Sequence, residues 1–103
     1  MPATRRAKLT ADAIRDWLGS RRGWKRRANR LTKEFQFASF RDSIVFVNRV
    51  ASLADRFDHH PDIDVRDTAV TLTLSTHDAG GITKKDLELA EQVDFATSAA
   101  LQH

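Results

Sequence analysis

Three of the four histidines, His59, His60 and His77, stand where a side chain is readily presented to a ligand. His59 and His60 are adjacent and are followed by Pro61. Proline pushes the residue before it out of helical geometry, so His60 is held out of the long helix at whose end the pair stands. Two consecutive rings can then converge on one site that regular structure would hold apart. His77 follows Leu74-Ser75-Thr76 and closely precedes Gly80-Gly81, again at the end of an element. Element ends are where functional side chains concentrate. An imidazole with its ordinary pKa of about 6.5 gives and takes protons near neutral pH without a cofactor. Three such rings, with Asp58 and Asp78 beside them, suit an elimination or a tautomerisation. The same rings would also serve as plain caps at helix and strand ends.

Histidine is the commonest metal ligand, but no His-x-x-x-His pair occurs, and adjacent histidines seldom ligate one ion. No metal or cofactor is therefore expected. No Gly-x-Ser-x-Gly elbow is present for a serine nucleophile. The absence of cysteine removes disulfide frameworks, thiolate metal sites and thiol nucleophiles together.

The elements that must hold these residues follow from caps and periodicity. Thr10 is an N-cap for a short helix carrying Ala11, Ala13, Ile14, Trp17 and Leu18, which Gly19 to Gly23 end. Trp24 to Ala28 and Leu31 to Phe37 read as two strands around Asn29-Arg30, with Phe35 and Phe37 on one face. Ser39, with Asp42 three places on, opens the longest helix, which runs to Phe57. It carries two apolar stripes: Phe40, Ile44, Val47, Ala51 and Ala54, and beside it Phe46, Val50, Leu53 and Phe57. Together they are wider than one sheet contact needs, which predicts burial against a second subunit.

Ile63 and Val65, then Val70, Leu72 and Leu74, alternate with polar neighbours in a second hairpin turning at Asp67-Thr68. Thr83 and Asp86 form a capping box, with Asp in the Glu/Gln place, for a last helix that turns Leu87, Ala90, Val93 and Ala96 or Thr97 inward. The order helix, strand, strand, helix, strand, strand, helix predicts an α+β domain. Its expected form is a four-stranded antiparallel sheet with three helices packed on one face.

At 103 residues the chain has room for one core. A loose basic leader is expected over residues 1–8 and a single domain over 9–103. Neither a signal peptide nor a membrane-spanning run is legible, so a cytoplasmic location is expected. The formal charge of +3 conceals an asymmetry. Up to Lys33 there are eleven Lys or Arg and two Asp; from Glu34 onward there are six basic and twelve acidic residues. The basic third includes Arg21-Arg22, Lys25-Arg26-Arg27 and Arg30, but its one stacking residue there is Trp24, and no nucleic-acid-binding motif occurs. A solvated basic face is the expected reading, with no nucleic-acid partner.

The histidines and their neighbours resemble the pterin-4a-carbinolamine dehydratase family. Asp55 precedes His59-His60-Pro61 at the family interval, His77 lies sixteen residues beyond Pro61, and Asp86 nine beyond His77. The string Ser75-Thr76-His77-Asp78-Ala79-Gly80-Gly81-Ile82-Thr83-Lys84-Lys85-Asp86 is also similar, as are Gly23-Trp24, Phe35-Gln36-Phe37 with Phe40, and Arg49-Val50-Ala51. The match runs over roughly residues 9 to 97. Two positions depart: Asp67 stands where the family has an aromatic, and Ile63 where many members have Trp.

The resemblance implies loss of water from 4a-hydroxytetrahydrobiopterin, giving quinonoid dihydropterin, in tetrahydrobiopterin recycling. It also implies a homodimer or homotetramer. His59 and His77 would be the acid–base pair and His60 an orienting or auxiliary group. Ser75, Thr76 and Asp78, with Asp58 and Pro61, would border the pterin, and Asp58 would orient a histidine. Asp55 and Asp86 would lend support, with helix capping as a sufficient role for Asp86. The competing reading is a non-catalytic binding or dimerisation module serving a transcription regulator, or nucleic acid through the basic third. A catalytically dead relative acting as an assembly factor should have lost a histidine, and all three remain.

Overall fold

Thr10 accepts a hydrogen bond from the Ala13 amide at 3.1 Å and opens helix α1, Ala11–Gly19. The computed structural model describes residues 7–101; residues 1–6 of the leader, and His103, lie outside the described residues. Strands β1 (Lys25–Arg27) and β2 (Arg30–Gln36) form the first hairpin. Ser39 caps helix α2, Phe40–Phe57, by accepting from the Asp42 amide at 3.1 Å. Strands β3 (Asp62–Arg66) and β4 (Ala69–Leu74) form the second hairpin, and helix α3 spans Lys84–Leu101. The domain is α+β, with the element order read from the sequence.

The four strands make one antiparallel sheet in the order β1-β2-β4-β3. Register places Leu31 opposite Leu74, Lys33 opposite Leu72 and Phe35 opposite Val70, which continues the inner face across the two central strands. Leu31, Val70, Leu72 and Leu74 are fully buried there, with Val50 of α2 and Leu89, Ala90 and Val93 of α3 against them. Helix α2 contributes Ser43, Phe46, Val50 and Ala54 as its buried stripe. Phe46 lies 4.7 Å from Phe35 and 5.0 Å from Phe37 between ring centroids, so the period-two pair, with Phe37 one residue past the end of β2, meets the helix as expected. Phe40, Val45 and Phe95 remain exposed.

Lys33 is the exception on the inner face. Its ammonium bonds Asp94 at 2.8 Å and lies over the Phe35 and Trp24 rings at 4.8 and 5.7 Å. Trp24 donates its indole N–H to the other oxygen of Asp94 at 2.9 Å. Gly23 precedes this cluster at φ +85, where an added Cβ would approach Lys33 Cε to 2.9 Å. The Gly23-Trp24 pair is thus a packing device. Asp67, at φ +53 and exposed, sits in the β3–β4 turn; Asp tolerates this left-handed geometry better than an aromatic does.

Candidate active site

Helix α2 ends in a Schellman turn, and that turn delivers the histidine pair. Asp58 takes the left-handed conformation at φ 50, ψ 47; its N–H bonds Asp55 O at 3.3 Å, and the His59 N–H bonds Ala54 O at 3.0 Å. The chain leaves the helix abruptly, and Pro61 then starts the extended run into β3. His59 is turned inward, its side chain only 10% exposed, whereas that of His60 is 63% exposed.

His59 is fixed from the first turn of α3. Its Nε2 lies 2.5 Å from Asp86 Oδ1, and Asp86 is fully buried. The other carboxylate oxygen accepts the Thr83 N–H and the Thr76 hydroxyl, each at 2.9 Å. The Thr83 hydroxyl accepts from the Lys85 amide at 3.2 Å and lies 2.7 Å from the Thr76 hydroxyl. Thr83 and Asp86 therefore complete the reciprocal capping box. Asp86 does two things at once: it caps α3 and holds His59.

The hydrogen-bond roles follow by elimination. A carboxylate only accepts, so Thr76 donates to Asp86 and Thr83 donates to Thr76. His59 must likewise present a proton on Nε2 toward Asp86. In neutral His59, the ring nitrogen that carries a free lone pair is then Nδ1. Among the described residues, no buried side-chain nitrogen or oxygen lacks a partner.

His77 arrives from the other direction. It opens a single 3₁₀ turn, His77–Ala79, directly after β4, and is exposed. Together the two segments border an open cleft of about 270 Å³ lined by Asp58, His59, His60, Ser75, Thr76, His77, Asp78 and Lys85. That volume falls just under the roughly 300 Å³ at which ligand pockets begin, which limits it to a small heterocycle. A larger concavity of about 490 Å³ lies elsewhere, lined by Arg21, Arg22, Lys33 and Asp94 among others, and gathers no histidine. Its Arg21 and Lys33 are already paired with Glu91 and Asp94.

Of the residues singled out from the sequence, the cleft thus brings together His59, His60, His77, Asp58, Ser75, Thr76 and Asp78. Pro61 and Asp55 do not line it. Asp55 instead pairs with His60 at 3.0 Å on the surface, a contact weakened by solvent. Among the described residues Asp58 makes no hydrogen bond to a histidine; it shapes the backbone of the turn, where its carbonyl accepts from Lys85 Nζ at 3.3 Å. Thr76 is buried, and its hydroxyl is engaged by Asp86 and Thr83. Lys85 was not anticipated. Its signal was present: Lys84-Lys85 places two cations in a helix's first turn, against the macrodipole, which calls for a reason outside the helix. Among the described residues, no group of three or more His, Asp or Glu side chains is placed to hold a metal ion.

The family model for pterin 4 alpha carbinolamine dehydratase matches residues 7–96. The chain belongs to that family. Relatives that carry the name pterin-4-alpha-carbinolamine dehydratase, from Roseiflexus castenholzii and Sulfurisphaera tokodaii, are 54% and 42% identical to it, over 85% and 84% of this chain and 96% and 94% of theirs. The crystal structure of a transcriptional coactivator/pterin dehydratase from Brucella melitensis superposes with a TM-score of 0.81 at 28% identity, covering 84% of this chain and 95% of that one. A pterin dehydratase-like protein identified as a RuBisCO assembly factor of the alpha-carboxysome superposes with a TM-score of 0.57 at 26% identity, covering 69% of this chain and 82% of that one. Pterin carbinolamine dehydratases are hydro-lyases, and this member of the family is an enzyme of that class. No helix of the described residues is long and apolar enough to cross a membrane.

Proposed function

We propose that the protein dehydrates 4a-hydroxytetrahydropterin, of the tetrahydrobiopterin type, to the quinonoid dihydropterin as a step in cofactor recycling. One observation carries this reading: three imidazoles from two separate segments converge on one small cleft, and one of them is backed by a buried carboxylate. Dehydration requires the C4a–O bond to break, its electron pair leaving with the oxygen as water forms, and the N5–H proton to leave, so that the N5–H electron pair forms C4a=N5. An acid must protonate the departing hydroxyl, and a base must take the N5 proton.

His59 suits the base. Its Nε2–H points at Asp86, so the free lone pair is on Nδ1, and the buried carboxylate faces the positive charge the ring acquires. This is the orienting logic of an Asp–His pair. His77 then suits the acid, giving its proton to the hydroxyl so that water leaves. Proton exchange with solvent through the open cleft returns both rings to their starting states. His60, exposed and tied to Asp55, is an orienting group at the rim. Asp58, Ser75 and Asp78 border the ring, and Thr76 acts behind them by holding Asp86.

The test follows quinonoid dihydropterin formation by rapid-mixing absorbance, with a chelator present throughout. Turnover that persists in chelator and disappears in His59→Ala and His77→Ala supports the reading. Activity lost to chelator and restored by zinc would replace it with a metal-dependent one.

Assembly is a second element of the proposal. Phe40 and Phe95 are 54% and 73% exposed, and Val45 is exposed as well. These residues lie on the two helices of the inner layer, and they support a homodimer or homotetramer built through helix faces. The Brucella relative's description as a coactivator supports the alternative, a non-catalytic binding or dimerisation module for a transcription regulator.

A further inference from the structure

His77 sits on a turn whose base and tip are held by different parts of the chain. At the base, Thr76 and Gly81 form an isolated antiparallel bridge, the Thr76 N–H reaching Gly81 O at 2.8 Å. Gly80 ends the turn in the left-handed region at φ 70, its N–H on the His77 carbonyl at 3.1 Å. The His77 imidazole itself makes no hydrogen bond among the described residues. The ring's reach into the cleft is therefore set by the backbone beneath it.

The tip of that backbone is gripped from the first hairpin. Asn29 Nδ2 donates to the Gly80 carbonyl at 3.1 Å, across 51 positions of sequence. Asn29 stands in the two-residue turn between the register partners Arg27 and Arg30, beside Ala28 at φ +55. The next residue of β2, Leu31, pairs with Leu74 at the end of β4, from which the His77 segment departs. Both loops thus spring from one end of the sheet, and the Asn29 amide joins them. Water would satisfy the exposed Gly80 carbonyl almost as well, so the bond adds little to global stability. Water would not, however, fix the turn against the sheet.

We propose that Asn29 is a positioning residue for His77, holding the 3₁₀ turn through Gly80 so that the imidazole is aligned with the bound substrate. The inference rests on the assignment of His77 as the acid made above. Misplacement of a reacting group by about 1 Å costs up to about 100-fold in rate, and a loosened turn should cost part of that.

Asn29→Asp is the sharpest variant, since it keeps the size and turns the donor into an acceptor facing a carbonyl. It should lower kcat about ten-fold with KM and the unfolding midpoint nearly unchanged, and should speed hydrogen exchange at the Gly80 amide. In a His77→Ala background the same change should have no further effect on the residual rate. Full kcat in Asn29→Asp while His77→Ala is impaired would overturn the positioning role alone. Equal losses from Asn29→Asp in both backgrounds would also overturn it, because the effect would not pass through His77. Full activity in His77→Ala would overturn the acid assignment, and this proposal with it.

Discussion

Asp86, in the first turn of α3, bonds His59 at the end of α2, and the same carboxylate caps its own helix. The two roles are not alternatives. A capping box with Asp in the third place turns one oxygen back to the Thr83 amide and leaves the other for a partner outside the helix. The shorter Asp side chain keeps that second oxygen close to the helix start, where His59 meets it. Helix packing, capping and histidine orientation therefore share one buried group.

This predicts separate outcomes for two substitutions at Asp86. If capping were its sole role, Asp86→Ala would cost about 1 kcal/mol. With three accepted hydrogen bonds lost from a buried site, the cost should be about 3 kcal/mol by chemical denaturation. Asp86→Asn should cost less in stability and much in turnover. Thr76 and Thr83 both donate to one oxygen, so the Asn carbonyl must take that place and its NH₂ must face His59. The ring then has to accept at Nε2 and carry its proton on Nδ1, the wrong tautomer for a base. A fall in kcat of about 10²–10⁴ is expected, with the tautomer change visible in the imidazole ¹⁵N spectrum. An unchanged ¹⁵N pattern alongside the same kcat loss would break the link.

His59 and His77 should differ in what their loss does to folding. Each replacement by Ala should lower turnover by about 10²–10⁴. His77 is exposed and its imidazole makes no hydrogen bond among the described residues, so His77→Ala should move stability by no more than about 0.5 kcal/mol. His59→Ala strands a buried carboxylate oxygen and should be clearly destabilised. Parallel denaturation and turnover measurements on the two variants make the comparison.

Much of this was legible because local signals and global packing agree. Thr10, Ser39 and Thr83 are side-chain acceptors directly before apolar periodicity, and each accepts from its own helix. The β3–β4 alternation fixed a face because a one-residue slip would have buried Asp and Thr. Lys33 broke the alternation on β2 without harm, since Asp94 on a helix far along the chain meets its charge. No local pattern encodes such a partner. The site divides the same way: His59, His60 and His77 were visible as types at element ends. The pairings of Asp86 with His59, Asp55 with His60 and Asn29 with Gly80 depend on how elements dock, and sequence spacing does not carry that.

The basic face should be dispensable for turnover. Arg27 and Arg30 are exposed register partners with no ion pair among the described residues, and neither lines the histidine cleft. Like charges directly opposite on a strand pair repel, so Arg27→Gln should be neutral or slightly stabilising. The double variant Arg27→Gln, Arg30→Gln is expected to keep full kcat and KM at low and moderate salt. A large loss of activity there would move the functional surface to the hairpin.

The exposed aromatics make the assembly proposal quantitative. Burying a Phe side chain is worth about 1.5–3 kcal/mol, and two residues of this kind per subunit are exposed on α2 and α3. Across a symmetric interface each contact occurs twice, which is enough to hold a dimer at micromolar concentration once the entropy of association is met. Sedimentation equilibrium should give a dimer or tetramer mass for the native chain. Phe40→Asp places a charge on that face and should shift the mass toward the monomer, while helix content by circular dichroism stays constant because Phe40 contributes little to the core. A monomer for the native chain at these concentrations would remove the helix-face assembly, and the exposed Phe95 would then need another partner.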